Sequence, residues 1–119
     1  MTTRDEVSVF NEELSSALAA QDVDRVVGLY TEDARLLFNG RQMIQGRAAI
    51  DAFVRPDLEA APMILQLESI EVLEGGGLVV DIGRLTTPNG ARKYVIVHER
   101  QVDGSLRIAV DTVTNNGSS

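Results

Sequence analysis

The chain has 119 residues, 44% of them apolar and 24% charged, with a net charge of -7 and no cysteine. That length suits a single domain with its own core, and the composition excludes disordered and membrane-spanning classes. The missing cysteine excludes disulfides, thiolate metal sites and cysteine nucleophiles, while the acidic balance argues against nucleic acid or an anionic membrane surface as partner.

The start, Met1-Thr2-Thr3-Arg4-Asp5-Glu6, is charged and lacks the apolar core of a signal peptide, which predicts a cytoplasmic protein. Thr3-Arg4-Asp5-Glu6 has the spacing of a capping box, and Val7, Phe10, Leu14, Ala17 and Leu18 recur at helical intervals, so a first helix is predicted to about Ala20. Asp22 caps a second helix with the apolar face Val23, Val26, Val27 and Tyr30, ending near Thr31-Glu32-Asp33. Ala34 to Phe38 reads as a strand, Asn39-Gly40 as a tight turn and Arg41 to Ile44 as the return strand. Gly46 opens a third helix whose apolar positions are Ile50, Phe53, Val54 and Leu58, and Pro56 should end or kink it near Arg55.

From Met63 the pattern is strand-like. Met63 to Leu73, a Glu74-Gly75-Gly76-Gly77 turn, Leu78 to Thr86, Asn89-Gly90, Arg92 to Val102, Asp103-Gly104 and Ser105 to Thr114 make three consecutive hairpins. Asn115 to Ser119 reads as a frayed tail. Helix, helix, hairpin, helix and a long meander describe an α+β fold rather than a parallel α/β sheet.

The short turns permit a register calculation. If Asn89-Gly90 is a two-residue loop, Pro88 faces Ala91 and Asp81 lies directly opposite His98. The same count at Asp103-Gly104 sets His98 opposite Ala109, Ile96 opposite Asp111, and Arg100 opposite Arg107. Directly opposed Cβ atoms are about 5 Å apart and diagonal ones about 7 to 8 Å, which brings Asp81, His98 and Asp111 within mutual reach. One sheet face then carries Val79, Asp81, Gly83, Leu85, Tyr94, Ile96, His98, Arg100, Arg107, Ala109, Asp111 and Val113. The other carries Val80, Ile82, Val95, Val97, Ile108 and Val110. Two orientations are open: the mixed face as a pocket wall, or the aliphatic face inside and the Asp/His/Asp row as solvated outer surface.

Gln21-Asp22-Val23-Asp24-Arg25-Val26-Val27-Gly28-Leu29-Tyr30-Thr31-Glu32-Asp33-Ala34 resembles the second helix and first-strand entry of SnoaL-like proteins, members of the nuclear transport factor 2-like superfamily. Ile44-Gln45-Gly46-Arg47-Ala48-Ala49-Ile50 is similar to their glycine-led third helix, and Asp103 to Asp111 to their closing hairpin. The resemblance implies a cone-shaped half-barrel, a bent antiparallel sheet wrapped around three N-terminal helices, with a pocket between them and a common homodimeric state. It also implies a choice of chemistries. The general base and first-helix tyrosine of the ketosteroid isomerases fall near Phe38 and Leu14, which argues against that activity. The limonene epoxide hydrolase pattern needs an arginine where Val79 precedes Asp81. The polyketide aldol cyclases place a histidine on the penultimate strand and an acid/base aspartate on the last, which His98 and Asp111 match.

The expected function is therefore cofactor-independent acid/base catalysis on a small apolar keto compound, of cyclase, isomerase or dehydratase type; a non-catalytic ligand-binding or dimerisation module is the alternative. Asp111 is the expected general acid/base, His98 orients it or donates to the substrate oxygen, and Asp81 fixes the tautomer of the histidine. Two flanking carboxylates would raise the His98 pKa, with burial opposing the rise by disfavouring the charged form. Tyr94, Tyr30, Ile96, Phe38 and Leu14 are expected to line the pocket, although Tyr30, ending an apolar helical stripe, reads first as core with its hydroxyl satisfied. With one histidine and no tight ligand spacing, no metal site is expected.

Overall fold

A computed structural model of the chain describes residues 1–38 and 40–114. The expected frayed tail, 115–119, lies outside the described residues. Helix α1 (Thr3–Ala19) is capped by Thr2: its hydroxyl accepts from the Asp5 amide at 3.1 Å, while the Asp5 carboxylate accepts from the Thr2 amide at 3.2 Å. The capping box thus sits one residue earlier than expected, and Glu6 instead accepts from Arg100 at 2.9 Å.

Asp22 caps α2 (Val23–Gly28) through the Arg25 amide, as its position predicts. The helix stops short of the expected 31–33 because Tyr30 already begins strand β1 (Tyr30–Phe38). The Ile108 amide donates to the Leu29 carbonyl at 2.8 Å, so pairing with the last strand overrides the helical stripe. The return strand β2 is only Ile44–Gln45. Pairing of β1 with it stops at Leu36↔Ile44, which makes the connection longer than a two-residue turn; Asn39 of that turn lies outside the described residues.

Gly46, at φ +93°, precedes α3 (Arg47–Ala60). Pro56 does not end this helix. Pro56 and Ala52 lie on its exposed face, where water can satisfy the carbonyl that the proline leaves unpaired, and the fully buried Leu58 anchors the last turn.

Strands β3 (Gln66–Gly75), β4 (Leu78–Thr87), β5 (Gly90–Arg100) and β6 (Leu106–Val113) form the three expected hairpins. The sheet order is β2-β1-β6-β5-β4-β3, antiparallel throughout except for the parallel β1–β6 pair. Two registers depart from the calculation. Thr87 pairs with Gly90, so the β4–β5 loop is Pro88-Asn89 and Asp81 lies opposite Ile96, with His98 opposite Val79. Pro88 has no amide to close a ladder, and the Thr87 hydroxyl instead accepts from the Asn89 amide at 3.1 Å. In β5–β6, Ile96 does face Asp111, but a bulge at Val97/His98 sets His98 against Ile108, Arg100 against Leu106 and Arg107 against Glu99. Arg100 and Arg107 therefore do not face each other, and Ile108 exchanges faces with Ala109.

The bent, unclosed sheet wraps its concave face around the helices, and Val7, Phe10, Leu14 and Ala17 of α1 pack with Ile50, Leu58, Ile96 and Ile108. Among the described residues, no helix is long and apolar enough to cross a membrane.

Candidate functional site

The mixed face is the inner one. Val79, Asp81, Leu85, Tyr94, Ile96 and His98 are all buried, while Val80, Ile82, Val95 and Val97 on the other face are only half-buried. One cross-strand row runs over the whole concave surface: Val72, Asp81, Ile96, Asp111, Leu36 and Ile44 are successive partners from β3 to β2. Asp81 and Asp111 thus stand two strands apart, about 10 Å on sheet spacing, with Ile96 between them.

Asp81, fully buried, accepts through Oδ2 from the Tyr94 hydroxyl at 2.8 Å and from Asn11 Nδ2 at 3.2 Å. Asn11 comes from α1 and also reaches Ser69 Oγ on β3 at 3.4 Å. Tyr94 can lie across β4 because its direct partner there is Gly83; a Cβ at that position would overlap both the tyrosine ring and the Glu68 carbonyl. Burial, and then the bond to Asp81, raise the Tyr94 pKa above its ordinary value. His98 is fully buried beside this group, its ring edge-on to Phe10 with centroids 4.6 Å apart. Neither of its ring nitrogens has a hydrogen-bond partner among the described residues. Burial pushes its pKa down to about 4, against the opposing charge of Asp81, so it is a neutral imidazole at pH 7.

Asp111 has a plainer environment. Its Oδ2 accepts from the Tyr30 hydroxyl at 2.8 Å, and burial pushes its pKa up to about 6 against that hydrogen bond. The Tyr30 pKa rises well above its ordinary value through burial and the neighbouring Asp111 charge. Tyr30 is placed by the start of β1, whose backbone carbonyl accepts from the Arg47 guanidinium at 2.6 Å.

The expected trio is therefore split. All three residues share the concave face, but His98 bonds to neither carboxylate, so Asp81 does not fix its tautomer; Asp81 is held by Tyr94 and Asn11. The expected rise in the His98 pKa is overturned as well, since its burial outweighs the nearby carboxylate. Tyr94, Tyr30 and Ile96 occupy the same concave surface. Leu14 is buried in the core under α1, and Phe38 packs against Phe53 with ring centroids 5.9 Å apart. Asn11 was missed although a signal existed: it falls at i+4 from Val7 and i-3 from Leu14, a polar residue on the buried stripe of α1.

Chemically, the Asp81 group is a buried hydrogen-bonded hub, whereas Asp111 is a carboxyl with one tyrosine donor among the described residues and a pKa near the working range of a general base. The fold recurs in solved structures. A protein of unknown function described as NTF-2 like, from Shewanella oneidensis MR-1, is 18% identical with a TM-score of 0.81, over 96% of this chain and 100% of its own. A putative calcium/calmodulin-dependent protein kinase type II association domain from Thiobacillus denitrificans is 19% identical with a TM-score of 0.75, over 95% and 94%. A ketosteroid isomerase-like protein from Erwinia carotovora atroseptica is 15% identical with a TM-score of 0.70, over 98% and 99%. At these identities the likeness shows the fold alone. Comparison with curated proteins finds no match. The sequence pattern of the SnoaL-like domain matches residues 11–111, from Asn11 to Asp111, and the chain belongs to that family.

Proposed function

We propose that the chain is a cofactor-independent enzyme performing acid/base chemistry, of aldol cyclase, isomerase or dehydratase type, on a small apolar keto compound held against the concave face. The observation that carries this reading is the Asp111 carboxyl, buried, hydrogen-bonded to Tyr30 and pushed up to about 6. Such a group is ionised at neutral pH yet holds a proton more firmly than an ordinary carboxylate, which suits removal of a proton α to a carbonyl. In this reading the proton passes from the α-carbon to an Asp111 oxygen. The developing enolate oxygen takes a hydrogen bond from the neutral imidazole of His98, and the proton is then returned to the product. Exchange of α-protons for deuterium, followed by proton NMR across a panel of apolar ketones in D2O, tests it without knowledge of the substrate. Exchange should rise through a pH of about 6 and fall by about a hundredfold or more in Asp111→Asn, with the circular dichroism spectrum retained. Unchanged exchange in that variant would discard the role.

A second feature favours self-association alongside or instead of chemistry. Val80, Ile82, Val95 and Val97 form a half-buried aliphatic convex face, flanked by Leu73 and Leu78 at 49% and 43% exposure. We infer that this face pairs with a second copy of the chain, a reading also supported by the association domain of similar fold. Light scattering should give a dimer that Val97→Glu converts to monomer; a monomeric native chain would refute the pairing.

A further inference from the structure

The chemistry above makes no use of a groove between β2 and the first half of α3. It is a shallow groove of about 530 Å3, broadly open to solvent, with Met43, Ile44, Ala52 and Phe53 in its walls and Arg41 and Gln42 beside them. Among the described residues Arg41 is the one charged member of its lining, in a chain with 18 acidic and 11 basic residues. Its guanidinium lies over the Phe53 ring, 5.2 Å from the centroid, and Phe53 in turn packs on Phe38. This cation–ring contact uses none of the guanidinium N–H donors, and none of them bonds to a described residue. Arg41 forms no ion pair with any described residue. An apolar trough with one oriented, unneutralised cation at its side matches an amphipathic anion of single charge. A phosphate monoester, close to a dianion at pH 7, would leave charge unneutralised beside a single guanidinium.

We infer that this groove receives the carboxylate-bearing end of an amphipathic ligand, which makes the substrate an apolar keto acid. The keto end rests on the acid/base reading of Asp111; the carboxylate end does not. Ile44 in the groove wall is joined to Asp111 by the concave row, through Leu36, across two strand spacings. The reacting carbon and the carboxylate are then about 10 Å apart or more, so a medium-chain or two-ring acid spans the distance and a short keto acid such as pyruvate does not.

Octanoate and its neutral isostere octanamide test the groove directly, by titration against the amide resonances of the native chain. Octanoate should bind with shifts centred on Arg41 to Gln45 and Phe53, at least about tenfold tighter than octanamide, as expected for one charge-assisted contact. Arg41→Gln changes an exposed residue and should lower the melting temperature by no more than about 4 °C, for loss of the Phe53 contact, while removing the preference for octanoate. Ala52→Trp should fill the groove and weaken both probes. Equal affinity for the two probes, no saturable octanoate binding, shifts centred elsewhere, or a preference that survives Arg41→Gln would each overturn the inference. Asp111→Asn should bind octanoate like the native chain, so loss of exchange in that variant and loss of binding in Arg41→Gln report on separate claims.

Discussion

Two carboxylates of the concave face receive a tyrosine hydroxyl at the same distance, 2.8 Å, and are nonetheless built for different work. Around Asp81 the strands and α1 converge: Tyr94 crosses Gly83 to reach it, Asn11 descends from the helix, and Ser69 braces Asn11. Around Asp111 the one side-chain hydrogen bond among the described residues comes from Tyr30, with Ile96 between it and the first group. A buried carboxylate tied to several elements organises their packing, whereas one with a single neutral donor keeps a raised pKa and remains available as a base.

Removing each carboxylate should expose that contrast most strongly. Asp81→Ala leaves the Tyr94 hydroxyl and the Asn11 amide without their acceptor in the core, and should cost about 4 kcal/mol in chemical denaturation. Asp111→Asn removes a charge that burial disfavours, so at pH 7 it should unfold no earlier than the native chain. Equal losses from the two changes would break the distinction.

The pH dependence of stability sharpens it further. His98 has a folded pKa of about 4 against an ordinary 6.5, so the unfolded chain takes up the proton first, and its contribution is complete above 6.5 and lost as the pH falls towards 4. Asp111 has a folded pKa of about 6 against an ordinary 3.8, so its contribution is complete below 3.8 and lost as the pH rises through 6. Each is worth about 3 kcal/mol and the signs oppose, which leaves the native profile nearly level over that window. Relative to the native chain, Asp111→Asn should lose stability on acidification from 6.5 to 4, and His98→Gln should gain it on acidification from 6 to 4. Parallel profiles would contradict the assignment.

Smaller effects follow at the two tyrosines. Gly83→Ala should destabilise by about 2 kcal/mol, because the added carbon displaces Tyr94 or the Glu68 carbonyl. Tyr30→Phe removes one hydrogen bond and should cost about 1 kcal/mol, while raising the Asp111 pKa, since that bond favours the ionised form.

Much of this surface is legible in the residues. Side chains alternate with period two, and moving the β4–β5 loop from Asn89-Gly90 to Pro88-Asn89 shifts each pairing by two, so Asp81, Tyr94 and His98 keep their face although their direct partners change. The bulge at Val97/His98 is different: one extra residue reverses Arg107 and Ile108, and nothing in Leu106-Arg107-Ile108-Ala109 announces it. Helix ends follow the same division. Asp22 is readable as a cap, yet Tyr30 sits on a helical stripe and becomes a strand because β6 returns beside it. The ionisation of His98 turns on depth, which a register count does not give: burial under Phe10 outweighs the carboxylate.

A carbon-13 titration of the Asp111 carboxyl, in the native chain and in Tyr30→Phe and Asp81→Asn, bears most directly on the division of the concave face. The account requires a midpoint near 6 in the native chain, moved upward by Tyr30→Phe and unmoved by Asp81→Asn. A native midpoint near the ordinary 3.8, or one that follows Asp81→Asn, would contradict it.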